Sequence, residues 1–182
     1  MKIIFRILLV IVTISIINSC TENNITTKEQ PEVLNFIGPV ESFSDFGVYK
    51  VLSYDNPNIV LNVGGTGRED LDLNSEISTF SLPHDKINVN ISKYSISVIG
   101  YFSDDTYDPN EEQPVLIDRW TSISGIVKLS VSNVEDVTIP GVMATYRISI
   151  KLENVIFENE DGDQKMIENL LIEEAGVGWL PG

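Results

Sequence analysis

Between Tyr101 and Glu112 the chain reads YFSDDTYDPNEE, with the rings of Tyr101, Phe102 and Tyr107 interleaved among Asp104, Asp105, Asp108, Asn110, Glu111 and Glu112. Aromatic faces stack on the apolar faces of sugars or on cations, and clustered hard oxygens suit Ca²⁺. Tyr101, Asp104, Asp105, Tyr107 and Asp108 are therefore the candidate ligand-binding residues. The competing reading is an acidic, solvated loop whose tyrosines fold back on the core. Loops gather binding residues, but lying in a loop is not in itself a function.

Other constellations fail on spacing. Asp70, Asp72, Asn74 and Glu76 offer oxygens at every second position, as an EF-hand loop does. Such a loop needs Gly at its sixth place and Glu at its twelfth, where this chain has Ser75 and Ser81, so a solvated strand face is the better reading. Gly162 and Glu168 have the right separation, but Phe157 then occupies the first ligand place, and Asp161-Gly162 reads as a turn. Gly64-Gly65-Thr66-Gly67-Arg68 matches neither a Walker loop nor a dinucleotide fingerprint. His84 follows Pro83 with no catalytic partner nearby in sequence. Paired carboxylates for glycoside hydrolysis carry little weight in a chain with 27 Asp+Glu.

Composition narrows the classes further. With 12 Lys+Arg against 27 Asp+Glu in 182 residues, the net charge is −15, which argues against nucleic acid as a partner, because phosphates are neutralised by cations. One Cys and one His leave too few ligands for a zinc finger, a disulfide framework or a Cys-His nucleophile pair. No cofactor is implied beyond the Ca²⁺ that the acidic loop suits.

The N-terminus is more specific. Lys2 and Arg6 precede an uncharged run from Ile7 to Ile17, which ends in Asn18-Ser19-Cys20. Eleven helical residues reach roughly 16 Å, about half of a ~30 Å hydrocarbon core, so the run is a secretory signal and not a span. The lone cysteine, directly after a small residue at the end of that run, resembles the lipobox of bacterial lipoproteins. The resemblance covers Met1–Cys20. It implies cleavage after residue 19, acylation of Cys20 and attachment to a membrane, with Thr21 favouring the outer membrane of the bacterial envelope. Two or more acyl chains hold a protein firmly where one does not. On this reading residues 1–19 are signal peptide, 20–32 (TENNITTKEQPE after the cysteine) a polar tether, and 33–182 the folded domain.

The domain reads as strands. Ala144, Tyr146, Ile148, Ile150 and Leu152 alternate with Thr145, Arg147, Ser149, Lys151 and Glu153; the phase slips at Asn154 before Val155 and Phe157, which predicts a β-bulge. Alternation around Val127 gives a second long strand. Ile87–Ile91 and Tyr94–Val98 read as two strands across a short turn, and Val48–Leu52, Ile59–Val63, Leu71–Ile77 and Val115–Ile117 bring the count to about eight. Asp163–Gly176 fits helical spacing through Met166, Ile167, Leu170 and Leu171. A hairpin about Asp161-Gly162, setting Phe157 opposite Met166 and Leu152 opposite Leu171, is preferred. Trp120 and Trp179 are expected to fill the core or cover an open end. The expected fold is all-β: a single antiparallel β-sandwich, or alternatively a small β-barrel, with little or no helix. Ser124–Ser130 is weakly similar to small β-sandwich lipoproteins of Gram-negative bacteria, a similarity that supplies no activity.

Together these features lead to the expectation of a membrane-anchored, non-catalytic binding or interaction module of the envelope. Its acidic surface would meet a cationic ligand or an envelope protein. A glycan-binding or Ca-binding accessory protein is the alternative, and a small hydrolase a third, since no nucleophile–base pair is visible.

Overall fold

The computed structural model describes residues 30–42, 46–65, 71, 77–101, 111–135 and 145–177. The chain divides into two units, Met1–Gln30 and Pro31–Gly182. The second begins at Pro31, and its first paired residues are Glu32 and Val33.

Among the described residues the fold is all-β, with nine strands and no helix. They are β1 (Glu32–Val33), β2 (Val40–Ser42), β3 (Gly47–Val51), β4 (Ile59–Gly65), β5 (Ser78–Ser81), β6 (Ile87–Tyr94), β7 (Leu116–Glu135), β8 (Thr145–Glu158) and β9 (Gln164–Val177). One strongly curled mixed sheet, a half-barrel, joins them in the order β1-β9-β8-β7-β6-β4-β3-β2, with β5 beside β7. The architecture is consistent with the sandwich-or-barrel expectation. It is mixed because β1 runs parallel to β9, while every other pairing is antiparallel.

Curling brings β2 and β3 round to face β9 over a continuous core that includes Val48, Leu61, Val89, Ile91, Leu129, Ile150, Leu152 and Phe157. The short segment between β1 and β2 bridges the seam. Leu34 N donates to Met166 O on β9 at 2.8 Å, and Ile37 N donates to Leu52 O just past β3, also at 2.8 Å. Phe36 between them is buried in the core. Lys50 Nζ reaches the same strap at Gly38 O, 2.8 Å away, and partial burial lowers its pKa.

The phase slip at Asn154 is a bulge, as the alternation predicts. Ser124 pairs with Ile156 but Ile126 with Glu153, so Asn154 and Val155 stand against Gly125 alone. Asn154 has φ 49°, a left-handed conformation that Asn tolerates. The turn it introduces lets Leu152 before it and Val155 and Phe157 after it all face the core. Opposite it, Gly125 has φ 122°, and a Cβ there would lie 2.6 Å from Val155 Cα. A side chain is excluded on both counts.

The β8–β9 hairpin forms, and no helix covers 163–176, but its register is one residue from that expected. Gly162 N bonds Asn159 O, Asn159 N bonds Asp163 O, and Gly162 has φ 85°. Three residues therefore cross the turn, with Gly162 in the left-handed place, in contrast to the two-residue Asp-Gly turn expected. Asn159 Oδ1 accepts Asp163 N at 2.8 Å and secures it. Ile156 thus faces Met166 and Leu152 faces Leu170, while Leu171 is 51% exposed.

Three other boundaries differ from the alternation reading. Val115–Ile117 is no separate strand: Leu116 begins β7, which continues through several register shifts. Likewise β6 runs unbroken from Ile87 through Ser92-Lys93 to Tyr94, and residues 95–101 form no strand. Ser95 N instead donates to Val115 O and Val98 N to Pro57 O, so loop partners take the donors a strand would have used. Leu71 is a buried turn residue; most of the strand expected around it lies outside the described residues, as do Ala144 and Trp179. Trp120 is 6% exposed in the main core, with Lys165 Nζ 4.5 Å from its ring centroid.

Candidate functional site

Of the five loop residues singled out by sequence, Tyr101 lies within the described residues, and Asp104, Asp105, Tyr107 and Asp108 lie outside them, as does Cys20. Tyr101 is 43% exposed, and its N–H donates to Val98 O at 3.1 Å. What the structure does describe are the two roots from which the loop springs.

The first root folds back over the outer face of the sheet. Val51 and Val60 are directly opposed on β3 and β4, and their side chains point away from the main core. Val98, 1% exposed, closes over both, with Tyr49 and Tyr94 packed around them. The side chain of Asn58 ties the base of this segment by donating to Tyr94 O at 3.0 Å. The second root is held by a pair of bonds, Ser95 N to Val115 O at 2.9 Å and Val115 N to Ser95 Oγ at 3.0 Å.

A polar row runs beside the valines. Glu41 pairs with Tyr49, Tyr49 with Asn62 and Asn62 with Asn90, so four strands contribute one side chain each to a single line. Residues directly opposed in neighbouring strands stand roughly 5 Å apart on one face. Asn90 is buried at 6% exposure; its Nδ2 donates to Asn88 Oδ1 at 3.2 Å, and Ser92 Oγ donates to Asn90 Oδ1 at 3.2 Å. Burial pushes the pKa of the Tyr49 hydroxyl up, and the nearby Tyr94 adds to the effect.

Glu41 ends this row and holds the loop. Its Oε1 accepts the Gly100 N–H at 2.7 Å, one residue before Tyr101. Its Oε2 is buried and has no hydrogen-bond partner among the described residues. A carboxylate oxygen in that position is a spare acceptor at the base of the acidic loop. Sequence reasoning missed Glu41, Tyr49, Asn62 and Asn90. Asn88 and Asn90 alternate with Ile87, Val89 and Ile91, a pattern that identifies a strand but does not single out either Asn. Asn90 is buried between its partners on β4 and β7, Asn62 and Thr121, which are remote in sequence, and alternation carries no sign of that.

The remaining candidates are local. His84 Nδ1 accepts Lys86 N at 3.1 Å and lies 3.3 Å from Asp85 Oδ1, and the ring meets Phe80 edge-on at 5.1 Å. Among the described residues no group of three or more His, Cys, Asp or Glu side chains is placed to hold a metal ion. Glu153 bonds Lys128 at 2.6 Å and Lys151 at 2.7 Å, and these bonds hold its carboxyl below the usual range. No known protein family, curated protein or solved structure matches this chain, so the reading of the site rests on its own residues.

Proposed function

We propose that this chain is a lipid-anchored, non-catalytic binding module of the bacterial envelope, held to its membrane through Cys20 and taking a cationic or hydrogen-bond-donating ligand at the 101–112 loop. The anchor rests on the lone cysteine closing the Ile7–Ile17 run. The observation that carries the binding site is the bond from Gly100 to Glu41: it fixes the loop's first root while leaving a buried carboxylate oxygen free beside it. A divalent cation or an amine-bearing partner suits that oxygen together with the carboxylates that follow Tyr101 in sequence.

Intact-mass measurement of the purified protein tests the anchor: a diacylglycerol-modified Cys20 at the new N-terminus is expected, and an unmodified thiol refutes it. Thermal-shift titration of the full chain with Ca²⁺, with EDTA and with a glycan panel tests the site. A shift that disappears in Asp105→Ala and Tyr107→Ala supports the loop, and one that survives both removes it.

A further inference from the structure

The turns of a half-barrel gather at its two ends, and here the ends differ. Four connections share one end: Leu52–Asn58 between β3 and β4, the segment after Tyr94, the residues leading into Leu116, and the Asn159–Asp163 turn. β1 lies parallel to the first residues of β9, so the folded unit also begins at this end, at Pro31. The loops there are stitched together by Ile37 N to Leu52 O, Tyr94 N to Asn58 O, Val98 N to Pro57 O and Ser95 N to Val115 O.

This stitched end exposes apolar side chains that the fold leaves uncovered. Val33 is 57% exposed, Ile37 70%, Tyr54 75%, Val115 63%, Leu116 42% and Ile117 59%. At the opposite end the one exposed large apolar side chain among the described residues is Ile77, at 67%. Val40, Ile99, Tyr101, Ile123 and Leu171 are also exposed, at 38%, 42%, 43%, 43% and 51%, along the strands and in the segment after Tyr94. The six at the stitched end are thus the largest single group, and such a concentration marks a surface that meets something other than water.

We propose that this end is a membrane-resting rim, seated at the lipid–water boundary of the bilayer that carries the acyl anchor. The inference rests on the lipid-anchor reading. Ten residues separate Cys20 from Pro31, and a chain of that length spans at most about 40 Å. A 14-residue strand such as β9 is itself about 45 Å long. Turning the far end toward the bilayer would demand slightly more than the full reach of the connection, whereas resting on the near end stays well within it. The chemistry agrees: Tyr, Ile, Val and Leu side chains partition into the headgroup and upper acyl region. Asp55, Glu111, Glu112, Asp118, Glu160, Asp161 and Asp163 border this end, so a zwitterionic surface is favoured over an anionic one, whose negative potential repels carboxylates.

The test uses the acylated full chain in zwitterionic phospholipid vesicles. Acylation blocks Cys20, so Tyr54→Cys, Ile117→Cys and, at the far end, Ile77→Cys can each be labelled singly with an environment-sensitive fluorophore. On transfer from detergent to vesicles, iodide quenching at positions 54 and 117 is expected to fall at least about threefold, with quenching by lipid-borne groups appearing, while position 77 is unchanged. Equal iodide access at all three positions in vesicles overturns the rim. Protection of 54 and 117 that rises with protein concentration and persists without lipid also overturns it, assigning the surface to a second copy of the chain. Wild-type protein that itself takes up one label refutes the anchor, and vesicle flotation of that unacylated full chain then tests the rim alone: recovery with zwitterionic vesicles supports it, and recovery in the unbound fraction overturns it.

Discussion

The sheet is buried on both faces where β3, β4 and β6 lie together, but in two different ways. On the inner face Val48, Leu61, Val63, Val89 and Ile91 join a core drawn from all the long strands, and each side chain is supported from several directions. On the outer face three valines, Val51, Val60 and Val98, are covered by one returning segment, beside a row of polar side chains. Loss of one inner contact is expected to be felt by the whole molecule, and loss of one outer contact chiefly by the returning segment. The loop proposed to bind ligand therefore springs from the thinly buried face, where opening costs little and rearrangement on binding is accessible.

The contrast can be measured. Leu152→Ala empties a fully buried inner position and is expected to cost about 2–5 kcal/mol in denaturant unfolding. Gly125→Ala combines a strained φ with overlap on the Val155 backbone, so a loss of roughly 3 kcal/mol is expected, with Val155 and the paired stretches of β7 and β8 exchanging amide hydrogen faster. Val98→Ala should cost only about 1–2 kcal/mol in global stability, yet amide exchange in residues 95–101 should rise far more than in β8. If Val98→Ala lowers global stability as much as Leu152→Ala, the two faces are one cooperative unit and the distinction fails.

Smaller effects separate the faces by pH. The folded-state pKa of Tyr49 is raised, so its contribution is fully present below the ordinary tyrosine value of 10.0 and is lost as pH climbs through the folded value. Tyr49→Phe should therefore retain more of its stability than the wild type between pH 10 and the alkaline limit of folding. Glu153 behaves in the opposite sense. Its pKa is lowered, so its contribution is present above the ordinary glutamate value of 4.5 and fades as pH falls through the folded value. Glu153→Gln should flatten that acid-side decline slightly, read as the difference in midpoint between pH 6 and pH 3.

How much of this was legible follows from which interactions are local. Alternation identified β8 and the bulge at Asn154, because a period of two and its slip are written in successive residues. It also found the β8–β9 hairpin but took Asp161-Gly162 as the centre of a two-residue turn. The side chain of Asn159 captures Asp163 and lengthens the loop by one, which moves Leu170 inward and Leu171 outward. The short strands β1, β2 and β5 escaped notice. Two to four residues hold too little pattern to read, and their pairing partners are remote in sequence.

Residue order alone established an all-β body, an acidic chain, an uncharged apolar run that ends near one cysteine, and an aromatic, carboxylate-rich segment, since each is a matter of composition or of nearest neighbours. The closure of the sheet by the Leu34–Ile37 strap, the burial of Asn90, the hold of Glu41 on Gly100 and the gathering of Ile37, Tyr54 and Ile117 at one end arose only on folding. Each of these joins segments far apart along the chain, and the free energy that selects them comes from a core no single segment can form by itself.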